Sequence, residues 1–339
     1  MTATTPTTQG PGTEPAPSLH PEPPRGGVTR LAPSPTGALH LGNVRTFLVN
    51  WALARKLDWR VLLRIEDLDT PRVKPGAIED TIDTLAWLGL DWDVGPEIQS
   101  DDLSPYRDAM ETLATKKLIF PCELSRTEIE QAASAPHRPE GSETRESVYP
   151  ASLRPAERPA DFDRVDVNWR FAAREGAVAF DDRVRGAQSI DVAADVGDFV
   201  VWTKRGQPSY QLAVIVDDAH SGVDRVVRGD DLIASTGRQL MLYRALGLEP
   251  EPMYWHLPLA VGPDGRRLAK RHGDTRVSSY RASGVGAERI IGLMASWSGV
   301  TPDPEPMTAE QFAERFDVTT LPASDIVFKE VDDAWLHSG

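Results

Sequence analysis

The sequence predicts an α/β body built around an open parallel sheet, with an inserted lobe and a short helical C-terminal region. Three observations lead there. Val28 to Leu31 read as a short strand, followed by a proline-flanked turn at Gly37 and apolar positions 44, 48, 51, 54 and 57 at helical spacing. Trp59 to Ile65 read as a second strand whose downstream edge carries Glu66, Asp67 and Asp69, where such a sheet faces its ligand crevice. Two motif-like segments also stand far apart: Ser34-Pro35-Thr36-Gly37-Ala38-Leu39-His40-Leu41-Gly42-Asn43, and Gly265-Arg266-Arg267-Leu268-Ala269-Lys270-Arg271. Brought together, the first offers an imidazole and closely approaching backbone to a nucleotide, and the second offers cations to its phosphates.

The elements follow in order. Residues 1–25 hold seven prolines and six threonines with almost no large apolar side chain, so they read as a disordered tail. Residues 26–105 form the first half of the α/β body, including a helix after Pro75-Gly76 with Ile78, Ile82 and Leu85 on one face that stops at Gly89. A further helix starts at Ser104, a candidate cap with Pro105 in the first turn, and runs to about Lys117. Residues 106–197 form the inserted lobe: five prolines between 136 and 159 mark an irregular excursion, and Val165–Arg170 and Ala177–Asp181 read as strands. The second half of the body spans 198–247, with strands at Asp198–Trp202, at Tyr210–Val216 ending in Asp217-Asp218, and at Val223–Val227 before Arg228-Gly229-Asp230-Asp231. Ser235 or Thr236 caps the next helix, which turns Leu240, Tyr243 and Leu246 inward and stops at Gly247. Residues 248–339 carry the basic loop and a helical stem.

Composition narrows the function. The net charge of −14 argues against a protein that binds polyanions over its whole surface, yet the cations at 266, 267, 270 and 271 allow a local basic face. No apolar run approaches the roughly 20 residues that cross a bilayer and the start lacks a signal pattern, so the expected location is cytoplasmic. Cys122 is the only cysteine, which excludes an internal disulfide framework and a thiolate-rich zinc site.

His40 precedes a helix, where an imidazole can donate to a phosphate or ribose oxygen beside the helix amides. Gly42 leaves room for a nucleobase or ribose against the backbone. Arg30 or Arg228 can take a substrate carboxylate through a planar fork, Glu66 an ammonium, and Tyr210 a polar end. That set describes an acidic amino acid, although each residue alone is equally a strand-end charge. Asp217, Asp218, Asp230 and Asp231 read as capping and solvated strand-end carboxylates rather than Mg²⁺ ligands, because ATP brings magnesium through its phosphates.

These residues fall in segments that resemble the class I glutamyl-tRNA synthetases, and most closely their shortened branch, the glutamyl-Q tRNA(Asp) synthetases. Thr29-Arg30-Leu31-Ala32-Pro33-Ser34-Pro35-Thr36-Gly37 with His40-Leu41-Gly42-Asn43 looks like the opening signature. Leu63-Arg64-Ile65-Glu66-Asp67-Leu68-Asp69, Trp87-Leu88-Gly89-Leu90-Asp91-Trp92-Asp93, Tyr210 to Asp218, Val227-Arg228-Gly229-Asp230-Asp231 and Arg267-Leu268-Ala269-Lys270-Arg271 follow in family order. The resemblance covers about residues 28 to 300. It implies a Rossmann-like catalytic domain with an acceptor-binding lobe and ATP-dependent activation of glutamate. Arg30, Ser34, Glu66, Tyr210 and Arg228 would then surround glutamate. His40, Gly42, Asn43, Arg267, Leu268 and Lys270 would serve ATP, with His40 and Lys270 as the catalytic pair.

The chain's length points to the shortened branch, which lacks the anticodon-binding region and attaches glutamate to queuosine in the anticodon loop of tRNA(Asp). The competing expectations are a truncated synthetase charging the 3′ end of tRNA(Glu), and a nucleotide- or tRNA-binding regulator that has lost catalysis. Two departures matter. Ala269 replaces the serine usual in the basic loop, and the family's zinc positions, Cys-x-Cys then Tyr-x-x-x-Cys, read Cys122, Leu124, Tyr149 and Leu153. One thiolate and a phenol hold zinc poorly, even with His137 nearby, so the expected protein is a zinc-free monomer whose lobe folds by packing.

Overall fold

The computed structural model describes residues 24–133, 148–266, 268 and 274–338. The N-terminal tail, apart from Pro24 and Arg25, lies outside them, as do His137, Arg267, Ala269, Lys270 and Arg271. The chain opens with β1 (Val28–Leu31), α1 (Leu41–Lys56), β2 (Arg60–Ile65), α2 (Ala77–Trp87) and β3 (Val94–Ile98). The three strands pair in parallel in that order, Arg30 opposite Leu62 and Leu31 opposite Leu63. Parallel neighbours require crossovers, and α1 and α2 supply them.

Next come α3 (Ser104–Thr115), β4 (Ile119–Cys122), α4 (Arg126–Ala133), β5 (Asn168–Phe171), the hairpin β6 (Val178–Asp182) and β7 (Gly186–Ile190), α5 (Val192–Asp195), β8 (Phe199–Thr203) and β9 (Gln207–Pro208). Ser104 is the first residue of its helix, and Leu103 takes the cap position. The lobe is the antiparallel sheet β4-β5-β8-β9. Pairing crosses the division drawn at residue 197 in both directions: β8 and β9 complete the lobe's sheet, while β6 and β7 leave it for the catalytic sheet.

Two sequence expectations change in the following stretch. Tyr210–His220 is a helix, α6, rather than a strand. Leu212–Val216 and Asp218 are all buried, so the helix is covered nearly all round and shows no polar face to betray its period. After β10 (Arg225–Gly229), the helix α7 (Ile233–Leu246) begins before Ser235 and Thr236, which lie buried inside it instead of capping it. β11 (Met253–Leu257) pairs in parallel with β10, and Tyr254 opposite Asp182 attaches the β6–β7 hairpin. β10 and β1 meet at their starts, where the Asp224 amide donates to the Val28 carbonyl at 3.1 Å and the Val28 amide to the Asp224 carboxylate at 2.8 Å. The sheet β3-β2-β1 and the strands β10-β11 thus lie edge to edge, a Rossmann-like arrangement whose winding reverses between β1 and β10. Ligands of such sheets bind outside the strand carboxyl ends at that reversal.

The C-terminal region holds β12 (Ala260–Val261), α8 (Val277–Ala282), α9 (Ala287–Trp297), α10 (Ala309–Arg315), β13 (Ile326–Val327) and α11 (Glu330–His337). It is built into the body. Ile290, Met294, Phe312 and Phe316 share one core with Leu48, Val49 and Trp51 of α1, which fixes the helix that starts at His40. A second core joins α3, α6 and α7 to the lobe through Trp169, Trp202 and Tyr106. Among the described residues, no helix is long and apolar enough to cross a membrane.

Candidate active site

A cavity of about 1050 Å³ opens at the carboxyl ends of β1, β2 and β10. Arg30, Ser34, His40, Gly42, Asn43, Glu66, Tyr210 and Arg228 all line it. The eight come from six elements or turns spread over 199 positions of sequence, so only the fold unites them.

The nucleotide side is the turn before α1. His40 occupies the cap position in extended conformation, and the Asn43 Oδ1 accepts from its amide at 3.4 Å. A Cβ on Gly42 would stand 3.4 Å from His40 Nδ1 and 3.5 Å from Ala260 Cβ, just within ordinary contact. The protein's own packing barely excludes alanine there, and the open space belongs to the cavity. The chain returning from the basic loop is clamped onto this turn: the Leu41 amide donates to Thr275 O at 3.1 Å, and the Val277 amide to Leu39 O at 2.9 Å. The flanks of the two motifs thus do meet. Leu268 sits in the core beside Leu39 and Leu41 and does not line the cavity.

The other side is a buried charge network. Arg30 donates to Asp218 at 3.3 Å, and Arg64, fully buried, reaches the same Oδ1 at 2.7 Å and Glu66 at 3.4 Å. Asp217 accepts from Gln99 at 2.6 Å and lies 3.7 Å from Arg64. Asp217 and Asp218 are therefore inward counter-charges on α6, not solvated strand ends, because the helix turns them toward the sheet. Asp230 likewise pairs with Arg185. Burial alone would lower the Arg64 pKa, but Asp218, Glu66 and Asp217 hold it above its ordinary value. Burial pushes Glu66 up against the opposing pull of Arg64 and Arg30. An ammonium group placed there would oppose that upward push and favour the carboxylate. The Tyr210 hydroxyl is also pushed up by burial, which keeps it a neutral donor beside Arg228, Glu66 and Arg30. The residue as a whole is 40% exposed, and it lines the cavity.

Family models resolve the assignment. Residues 28–332 match the class I tRNA synthetases (E and Q), catalytic domain. The chain belongs to this family. It is an ATP-dependent, amino-acid-activating ligase with the catalytic fold of that class. It is 44% identical over 309 residues to the glutamyl-Q tRNA(Asp) synthetase of Symbiobacterium thermophilum, covering 88% of this chain and 94% of that protein. The glutamyl-Q tRNA(Asp) synthetase of Rhodopirellula baltica is 44% identical, at 86% and 93% coverage. The glutamate–tRNA ligase of Burkholderia thailandensis is 38% identical over 91% of this chain but only 66% of its own length. The solved glutamate–tRNA synthetase of Elizabethkingia anophelis superposes with a TM-score of 0.75 over 93% of this chain and 70% of that one, and at 24% identity it bears on the fold alone.

Within this synthetase fold, the residues behind the ligand positions were invisible to motif reading. Arg64 and Asp218 lay inside matched segments without a role. Asp182 and His256, which stand behind Arg228, gave no sequence signal at all, and Thr236, which stands there with them, reads in the sequence only as a helix cap.

The four positions that the family resemblance marks for zinc, Cys122, Leu124, Tyr149 and Leu153, do come together here. Cys122 and Tyr149 are buried with Phe120, Ile129 and Ala172, and Leu124 and Leu153 pack against them. The Cys122 thiol lies 3.9 Å from the Tyr149 hydroxyl, which donates to Leu153 O at 3.2 Å, and Arg170 stacks over the tyrosine ring at 4.3 Å. Two leucines thus face inward where thiolates would be needed, making an apolar plug. Among the described residues, no group of three or more His, Cys, Asp or Glu is placed to hold a metal.

Proposed function

We propose that this enzyme activates L-glutamate as glutamyl-adenylate and transfers the glutamyl group to a cyclopentene hydroxyl of queuosine in the anticodon loop of tRNA(Asp). The observation that carries the reading is one cavity with two buried arginines, a partly buried carboxylate and a tyrosine beside a histidine-capped helix start. Arg30 and Arg228 suit the two carboxylates of glutamate, Glu66 its ammonium, and Tyr210 and Ser34 its polar ends.

A glutamate carboxylate oxygen attacks the α-phosphorus of ATP, the bond to the bridging β-phosphate oxygen breaks, and pyrophosphate leaves. His40 and Lys270 stabilise the charge that moves onto pyrophosphate, and Asn43 keeps its amide nitrogen free for the nucleotide. Magnesium would enter with the ATP phosphates. The acceptor hydroxyl then attacks the mixed anhydride and releases AMP. At the far rim of the cavity, Arg72, Lys204 and Arg205 gather cations on an acidic protein, with Asp69 pairing Arg72 and Arg205. Such a rim suits the phosphates of an incoming tRNA loop.

Two measurements test the reading. Exchange of labelled pyrophosphate into ATP should respond to glutamate without tRNA, and not to aspartate or glutamine. After transfer and nuclease digestion, the labelled glutamate should sit on the modified anticodon nucleoside; label on a terminal adenosine would instead establish 3′ charging of tRNA(Glu). An exchange-dead protein that still bound ATP would establish the regulator.

The same reading takes the enzyme to be a cytoplasmic monomer that holds no zinc. The support for the last point is the plug of Leu124 and Leu153, which supplies packing where the family resemblance marks thiolates. Elemental analysis of untagged protein should give far less than one zinc per chain. A stoichiometric signal lost in Cys122→Ala would overturn this.

A further inference from the structure

We infer that Asp182 and His256 are positioning residues that set the orientation of Arg228 and thereby its capacity to bind the substrate carboxylate. The inference rests on Arg228 being a glutamate ligand, as proposed above.

The argument begins with how the guanidinium is held. Arg228 is 5% exposed, and its Nε donates to His256 Nε2 at 3.0 Å while one Nη donates to Thr236 Oγ1 at 2.7 Å and more weakly to Leu232 O at 3.4 Å. His256 Nε2 and Thr236 Oγ1 lie 3.3 Å apart, so together they occupy the side edge of the guanidinium much as two oxygens of a carboxylate would. That edge is closed to substrate. The other Nη has no protein partner among the described residues, and Arg228 lines the cavity, so the end of the fork is what remains for a ligand.

This arrangement demands one tautomer. Nε2 can accept from Arg228 only if it carries no proton, so the proton of a neutral imidazole must sit on Nδ1. Asp182 meets it there: His256 Nδ1 donates to Asp182 Oδ2 at 2.6 Å, with both side chains fully buried. Asp182 is itself fixed by the amides of Val184 at 3.0 Å and Arg185 at 2.7 Å, in the tight turn of the β6–β7 hairpin. Burial holds the imidazole neutral, with Arg228 adding to that pull and Asp182 opposing it. Imidazolium would also set two donors against each other. The chain Asp182, His256, Arg228 thus runs from the hairpin through the catalytic sheet to the cavity. A hairpin from the inserted segment determines how the cavity presents its carboxylate ligand.

The test uses the full-length enzyme in pyrophosphate exchange, with KM for glutamate and for ATP measured separately and folding followed by thermal melting. Asp182→Asn puts an amide where Nδ1–H needs an acceptor and favours the wrong tautomer. It should raise the glutamate KM by about tenfold or more while leaving the ATP KM within about twofold. His256→Leu should do the same, whereas His256→Gln, whose Oε1 can accept from Arg228 near the position of Nε2, should recover most of the affinity. Equal rises in both KM values, or a glutamine variant no better than leucine, would reduce the pair to a structural role and overturn the inference. Arg228→Ala is the control: if it leaves the glutamate KM unchanged, the assignment of the site itself fails. If it raises that KM while Asp182→Asn does not, only the relay fails.

Discussion

Arg64→Met is expected to lower the melting temperature by on the order of 5 °C at pH 8, and by distinctly less at pH 5. The side chain is fully buried and faces Asp218 at 2.7 Å, Glu66 at 3.4 Å and Asp217 at 3.7 Å. Methionine keeps much of the volume, so little of the loss comes from a cavity. What it removes is the cation that offsets three low-dielectric carboxylates, of which Arg30 pairs directly with Asp218 alone and acts on Glu66 only from a distance. Removing one side of a buried ion pair costs about 3–5 kcal/mol. A chain of this size loses roughly 1.5 °C per kcal/mol.

The pH dependence follows from the sign of the shifts. Burial already pushes Glu66 and Asp217 above the usual carboxylate range with Arg64 present, and without it they rise further. A carboxylate whose folded pKa is raised gives its stability at low pH and loses it as pH climbs through the folded value. The variant therefore regains stability on acidification relative to wild type. Melting curves at the two pH values decide the matter: an equal deficit at both would trace the loss to packing rather than charge.

The same network shows where sequence reading ends. The order of β1, α1, β2 and α2 was legible because apolar residues recur at helical spacing at 44, 48, 51, 54 and 57 and at 78, 82 and 85, and the turns carry glycine and proline, and the predicted ligand-facing residues lay in segments of recognisable spacing. Helix α6 was not, since Leu212 to Val216 are buried on every side and a uniformly apolar run fits strand and helix equally well. That error carried Asp217 and Asp218 to an imagined strand end in solvent. On the real helix, Asp218 points inward and becomes the shared partner of Arg30 and Arg64. Asp182 and His256 were illegible for another reason: 74 positions separate them, and their adjacency comes from a single register between β6 and β11. Local pattern contains no information about such a pairing.

His40→Ala is expected to lower the maximal rate of pyrophosphate exchange by about 10²-fold with a smaller change in the ATP KM. The reasoning concerns when the charge appears. In bound ATP the bridging oxygen shares its electrons with the α-phosphorus, and only as that bond breaks does the full charge gather on pyrophosphate. A donor aimed at that position binds the transition state more tightly than the ground state, and its removal costs about 2.7–4 kcal/mol at comparable sites. His40 is suited to this by its place at the cap of α1, where the helix start adds positive potential and the Asn43 contact holds the turn. Lys270→Ala should cost at least about tenfold for the same reason, and Ala269 beside it removes a hydroxyl without removing that amine. Because both groups address one developing charge, the double variant should lose less than the product of the single losses. Strictly multiplicative losses would mean that His40 and Lys270 act at different points of the reaction, and an ATP KM raised as much as the rate is lowered would make His40 a binding residue instead.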